Sequence, residues 1–224
     1  MNEFVKPTLD LSGILSQFFG LVEGDANKCM RIIDISGLPN EVSGPLTALI
    51  SRLVFQYKLW QTEDERKNDP ILIVCEEAHR YVPNQGETQY KDAQESIRRI
   101  AKEGRKYGIG LMLISQRPSD IESTVLSQCN SWIIFRLTNS SDQEHVTRFL
   151  PDSLSGLTRI LSSLSRREAI FVGEASALPS RIKIKELAKE KLPKSADISF
   201  IDGWKNDLMS DSLLKEIADR WTKT

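Results

Sequence analysis

Apolar and polar positions along the chain fall into blocks whose periodicity separates helices from strands. Leu11, Ile14, Leu15, Phe18, Phe19 and Val22 recur at helical spacing, which predicts an amphipathic helix within Leu9–Val22 ahead of a Gly24-Asp25 turn. Met30–Ile35 (MRIIDI) reads as a strand, closed by Ser36-Gly37-Leu38-Pro39. Leu46, Leu49, Ile50, Leu53, Val54 and Tyr57 then mark one face of a second helix, with Pro45 suited to its first turn. After the charged linker Gln61–Asp69, Ile71–Cys75 (ILIVC) is apolar throughout, as a parallel strand covered on both faces must be. Strand, helix and strand make a βαβ unit, which implies a right-handed crossover.

The second half repeats the alternation. Val82–Glu87 (VPNQGE) holds Pro83 and Gly86 and reads as a loop. Tyr90–Lys106 is helical, with Ala93, Ile97, Ile100 and Ala101 on its packed face and Gly104 and Gly108 to stop it. Gly108–Ser115 (GIGLMLIS) is a second buried strand, and Trp132–Leu137 (WIIFRL) a third. Between and after them, Ser119 with Glu122 and Ser141 with Glu144 have the spacing of capping boxes, the first opening a helix to about Gln128 and the second a helix to Leu150. Leu154–Leu164 reads as irregular helix, and Arg167–Gly173 with Arg181–Lys185 as an edge hairpin. The expected fold class is α/β: a mainly parallel sheet flanked by helices, with an edge hairpin and a helical tail. From Ala188 the composition shifts toward Lys, Ser and Asp, so residues 1–187 are expected to form the core and 188–224 a linker and terminal helix, Ser212–Trp221.

Composition narrows the function. The 224 residues are 40% hydrophobic and 27% charged, with a net charge of −1, so no global basic field advertises nucleic acid. Cys29, Cys75 and Cys129 are widely spaced and sit in or beside apolar stretches, which suits buried thiols in a reducing compartment. No apolar run approaches the length of a membrane span, and a cytoplasmic location without membrane contact is expected.

The chemistry concentrates where apolar strands end. Ile71–Tyr81 reads ILIVCEEAHRY, so Glu76 and Glu77 stand at the carboxyl end of a central strand, where open α/β sheets bind ligands. A nucleoside triphosphatase needs this arrangement: one carboxylate for Mg²⁺, the next to orient and deprotonate the water that attacks the γ-phosphate. A strand that merely runs out into a charged loop is the alternative. Gln116, at the tip of the next strand, could reach the γ-phosphate or the lytic water. Arg98, Lys102 and Arg105 form a basic helical stripe, by default a solvated face. Zinc at Glu77 and His79 is disfavoured, since the only other histidine is His145 and no third ligand is spaced for it.

Taken in order, CEEAHRYVP, RRIAKEGRKYGIGLMLISQRPSDI, IIFRLTNSSDQEHV and the Gly173-Glu174-Ala175 triplet ahead of Pro179 resemble the second half of the HerA-type hexameric ATPases, in the HerA and FtsK group of P-loop DNA translocases. The likeness covers roughly Met30 to Ile184. It implies a partial RecA-like P-loop ATPase core, Mg²⁺ and ATP at a subunit boundary, and a homo-oligomeric six-membered ring around double-stranded DNA. It also implies a nuclease or sirtuin-like effector as partner. By the same resemblance Glu76 serves the magnesium, Glu77 the lytic water, Gln116 the γ-phosphate sensor position and Arg117 the nucleotide, while Arg105 reaches a neighbouring subunit's nucleotide. A DEAH-type RNA helicase fits less well, because no Ser-Ala-Thr follows the acidic motif.

One departure from that family matters. Phosphate cradling requires G-x-x-x-x-G-K-[ST], and none of Gly20, Gly24, Gly37 or Gly44 is followed by a Gly-Lys pair. The chain is therefore expected to be either the carboxy-terminal, Walker B and sensor part of a longer ATPase, inactive alone, or a non-catalytic interaction module.

Overall fold

A computed structural model describes residues 10–19, 30–84, 90–150, 156, 160–191, 200–205 and 210–222. The chain divides into two units, Met1–Ile184 and Lys185–Thr224.

In the first unit α1 (Leu11–Phe19) is the expected amphipathic helix, and its Phe19 ring stacks on Tyr57 with centroids 4.0 Å apart. Met30–Ile35 is not a strand: it pairs with no described strand, and Met30 and Ile32 are exposed. Apolar residues alone do not make a strand without a ladder to join. α2 (Asn40–Trp60) starts earlier than expected, so Pro45 lies inside it rather than in its first turn. The charged linker is itself ordered as α3 (Glu63–Asn68), where Thr62 and Glu65 form a reciprocal capping box.

β1 (Ile71–Cys75) and β2 (Ile109–Leu113) pair in parallel, Ile71 opposite Ile109 and Cys75 opposite Leu113. Between them runs α4 (Lys91–Glu103), continued by a 3₁₀ turn, Gly104–Tyr107. Gly104 caps the α-helix as expected and opens the 3₁₀ turn; a Cβ there would lie 2.9 Å from the Ile109 carbonyl, so glycine lets the chain pass close to the strand it is about to form. Gly108, at φ 73°, makes the turn. Val54 and Phe55 of α2 pack with Ile100 of α4 and Ile109, closing one face of the strand pair. On the other face Leu72, Val74, Met112 and Ile114 are exposed. A second cluster forms around Tyr81, Val82, Ile97 and Val125, where Ile97 is fully buried. Burial of such a side chain contributes about 1.5–3 kcal/mol.

The third strand departs from the parallel pattern. β3 (Ser131–Ile134) pairs antiparallel with β4 (Glu168–Gly173), which pairs antiparallel with β5 (Ser180–Lys183). The hairpin is as expected, and β3 joins it rather than β1 and β2. Neither later capping box forms. Glu122 precedes the short α5 (Ser123–Leu126) without capping it, while the Asn139 side chain caps α6 (Ser140–Thr147) by accepting from the Ser141 amide. Within Leu154–Leu164, residues 154, 155 and 157–159 lie outside the described residues, and Leu161–Ser163 is a 3₁₀ turn.

The second unit contains α7 (Phe200–Gly203) and α8 (Asp211–Thr222), and α8 carries Leu213, Leu214 and Trp221 exposed. Among the described residues no helix is long and apolar enough to cross a membrane.

Candidate functional site

Why Glu76 and Glu77 part company follows from the backbone just beyond β1. Ile114 donates its amide to the Cys75 carbonyl, and Ala78 in turn donates to the Ile114 carbonyl, so the ladder with β2 is resumed three residues on. To rejoin it the chain loops out through Glu77, which takes a left-handed conformation, φ 49° and ψ 46°. For a residue with a Cβ this costs of order 1–3 kcal/mol and persists only where the surroundings impose it. The two carboxylates consequently have different environments. Glu76 is exposed and makes no hydrogen bond or ion pair among the described residues. Glu77 is half-buried, with one oxygen hydrogen-bonded and the other facing His79.

Gln116 Nε2 donates to Glu77 Oε1 at 3.0 Å, and His79 Nδ1 lies 3.4 Å from Glu77 Oε2. His79 Nδ1 is also 3.1 Å from Ser115 Oγ, which accepts the Arg117 amide at 3.0 Å. The tips of β1 and β2 are thus joined through side chains as well as by the ladder. The sequence singled out Glu77 and Gln116, and the fold brings them into contact. No sequence pattern marks Ser115, and His79 stands out in the sequence only as a disfavoured metal ligand. Their signal was position: one lies two residues past the carboxylate, the other one before the glutamine.

Two further groups stand apart. Arg117 is exposed, with Nη1 4.0 Å from Asp120 Oδ2. Arg105, on the 3₁₀ turn after α4, is 89% exposed, and its Nη1 is 3.9 Å from Glu174 Oε2. A pair this long and exposed contributes little to stability. No contact among the described residues joins Arg105 to Glu77 or Gln116.

Behind the tips a clamp holds the two following segments together. Pro83 bridges Ile121, the Glu122 amide donates to the Val82 carbonyl at 2.9 Å, and the Asn84 amide to the Asp120 carbonyl at 2.7 Å. From α4, Arg98 grips the Glu122 carboxylate with Nε and Nη2 at 2.9 and 3.0 Å, and Gln94 Nε2 reaches both Glu122 Oε2 and the Pro83 carbonyl. Arg98 is therefore no member of a solvated basic stripe. It fastens the helix to the loops beyond both strand tips. At the end of β1, burial pushes the Cys75 thiol up to about 11, and burial also raises that of Cys129.

Among the described residues no three histidine, cysteine or acidic side chains gather to hold a metal ion. One free carboxylate, Glu76, fits Mg²⁺ only in the manner in which that ion is commonly held beside a nucleotide, by one or two carboxylates, water and phosphate oxygens.

Parallel strands under helices, with carboxylates on one strand tip and a glutamine on the next, make an α/β unit. Its solved likenesses include VirB4 of Thermoanaerobacter pseudethanolicus, at TM-score 0.50 and 21% identity over 71% of this chain and 41% of that one, a likeness of fold alone. No family model matches the chain. In sequence the chain is similar to proteins named HerA helicases. It is 38% identical over 160 residues to the DNA double-strand break repair helicase HerA of Pyrococcus furiosus, covering 66% of this chain and 28% of that protein. With the HerA helicase of Sulfurisphaera tokodaii it shares 31% over 211 residues, 91% of this chain and 42% of the relative. The chain spans well under half the length of these curated relatives.

Proposed function

We propose that the chain supplies the Walker B and sensor side of an ATP-dependent DNA translocase or helicase of HerA type. One observation carries the reading: Gln116, from the tip of β2, donates to the Glu77 carboxylate at the tip of β1. A carboxylate held by a single donor at one oxygen has lone pairs left open, which suits a base for the attacking water. Glu77 would take a proton from that water as its oxygen attacks the γ-phosphorus and the bond to the β-phosphate oxygen breaks. Gln116, released toward the γ-phosphate, would register that it is there. Glu76 would hold Mg²⁺, which when bound neutralises charge between the β- and γ-phosphates. Arg117 would contact the nucleotide, and Arg105 the nucleotide of a neighbouring subunit.

The wider assembly belongs to the same proposal: a six-membered ring around duplex DNA, working with a nuclease or sirtuin-like effector. Relatives bearing the name DNA double-strand break repair helicase support the DNA side of it. A second reading, a non-catalytic interaction module, has its own support, because no phosphate-wrapping glycine-lysine run occurs in these 224 residues. Chain 1–224 alone should therefore hydrolyse no ATP, and DNA-stimulated release of phosphate by the purified chain would refute the dependence on a separate P-loop half.

The decisive test uses an assembly that supplies that half. Glu77→Gln should leave nucleotide binding intact and lower turnover by about 10²–10⁴-fold, since the carboxylate acts on water rather than on the nucleotide. Glu76→Gln should instead weaken Mg²⁺-dependent binding. The opposite pattern would reverse the two roles, and no effect from either would favour the interaction module.

A further inference from the structure

The polar groups at the tip of β1 are more closely interlocked than the proposed hydrolysis requires. Glu77 sits in a left-handed turn, with one oxygen on Gln116 and the other facing His79. His79 is largely shielded, its side chain 21% exposed, and its Nδ1 faces two oxygens, Glu77 Oε2 at 3.4 Å and Ser115 Oγ at 3.1 Å. The Ser115 hydroxyl oxygen already accepts the Arg117 amide, and it can still accept from or donate to the imidazole. An ionised carboxylate can only accept. A bare Nδ1 lone pair turned toward it would be repelled, which favours a proton on Nδ1, where it can bond Ser115 Oγ at 3.1 Å with the Glu77 oxygen 3.4 Å away.

We propose that His79 is a positioning residue: held by Ser115, it presents Nδ1–H to Glu77 and fixes the direction in which that carboxylate points. Its place in catalysis rests on the reading of Glu77 as the base; the clasp itself does not. Gln116 can leave Glu77 when a γ-phosphate competes for its amide. His79 lies in the turn immediately after Glu77 and stays as the fixed half of the grip. Losing it frees the carboxylate to swing, and a misplacement of about 1 Å can cost about 10²-fold in rate. Nucleotide affinity, which does not pass through Glu77, stays as it was.

Two measurements test this separately. Chain 1–224 has only two histidines, so its imidazole nitrogens can be followed by ¹⁵N NMR and His79 assigned by its disappearance in His79→Asn. The expected result is a protonated Nδ1 at His79 in the wild type and a mixture of tautomers in Glu77→Ala. An Nε2-protonated ring, or one indifferent to Glu77→Ala, overturns the clasp. In an assembly that hydrolyses ATP, His79→Ala should lower kcat by about 10²-fold with KM for ATP unchanged. Asn places an amide N–H close to where Nδ1–H stood, and His79→Asn should recover most of that loss, while His79→Gln, whose amide lies further out, should not. Equal losses in all three variants, or a rise in KM alongside the fall in kcat, would mean a merely structural histidine. If Glu77→Gln proves catalytically silent, the base assignment fails, while the NMR result still decides whether the clasp exists.

Discussion

Cys75 ends β1 one residue before the carboxylates, and its thiol is held up to about 11 by burial. The ordinary value is 9.0, so below pH 9 the thiol is neutral both folded and unfolded and its contribution is fully present. Above pH 9 the unfolded chain loses the proton first, and stability falls by up to about 1.4 kcal/mol per pH unit until the folded thiol also ionises near 11. Urea titrations at pH 8, 9.5 and 10.5 should therefore show a steeper loss for wild type than for Cys75→Val; parallel curves would mean that the thiol reaches solvent. That Cys75 and Cys129 are shielded thiols was readable from their apolar neighbours, whereas Cys29 lies outside the described residues. The paired acids and the glutamine were equally readable, because a polar residue at the end of an apolar strand is conspicuous. The histidine and serine that complete the grip were not. Their contact depends on the left-handed turn at Glu77, and no spacing in the sequence announces a positive φ at a glutamate.

At the scale of elements, α4 is the part that joins sheet, loops and exposed arginine. Its Arg98 side chain is 32% exposed and the Glu122 side chain it grips only 13%, so the pair is partly withdrawn from water. Removing the arginine alone strands a carboxylate there, and Arg98→Met should destabilise the chain by about 2–4 kcal/mol. Glu122→Gln, which keeps an acceptor, should cost less. A double-mutant cycle by urea denaturation should give a coupling energy of about 1.5–3 kcal/mol; a value near the ~0.5 kcal/mol of exposed pairs would mean that the clamp is ornamental. The sequence made α4, β1 and β2 legible because their periodicities are strong and their glycine and proline boundaries sharp. It misjudged what depends on pairing. Met30–Ile35 and Trp132–Leu137 have similar apolar content, but one finds no described strand beside it and the other runs antiparallel to β4. Hydrophobic pattern identifies a strand by its own residues; its neighbour and direction are set by segments far along the chain. The Ser119–Glu122 capping box is closed off for the same reason: the Ser119 amide that Glu122 would accept is taken by the Asp142 carboxylate of α6, twenty-three residues away.

At the scale of the whole molecule the open question is how Arg105 can matter to a site it does not touch. It stands on the turn after α4, 89% exposed, and its described ion-pair partner is the distant oxygen of Glu174. Such a side chain stabilises almost nothing at home, yet an arginine that reaches a phosphoryl group from an adjacent subunit can raise its rate by about 10³–10⁵-fold. In the proposed ring the two roles are distinguishable by mixing. Subunits carrying Arg105→Ala keep Glu77, subunits carrying Glu77→Gln keep Arg105, and each should be inactive in a ring of its own kind. In mixed rings some boundaries bring an intact Arg105 to a neighbour's intact Glu77, so ATP hydrolysis should partly return, and should peak at intermediate mixing ratios. Recovery requires that subunits exchange, which sedimentation of differently labelled chains establishes independently. Mixed rings that form and remain silent would place Arg105 in its own subunit's site, or reduce it to the exposed partner of Glu174.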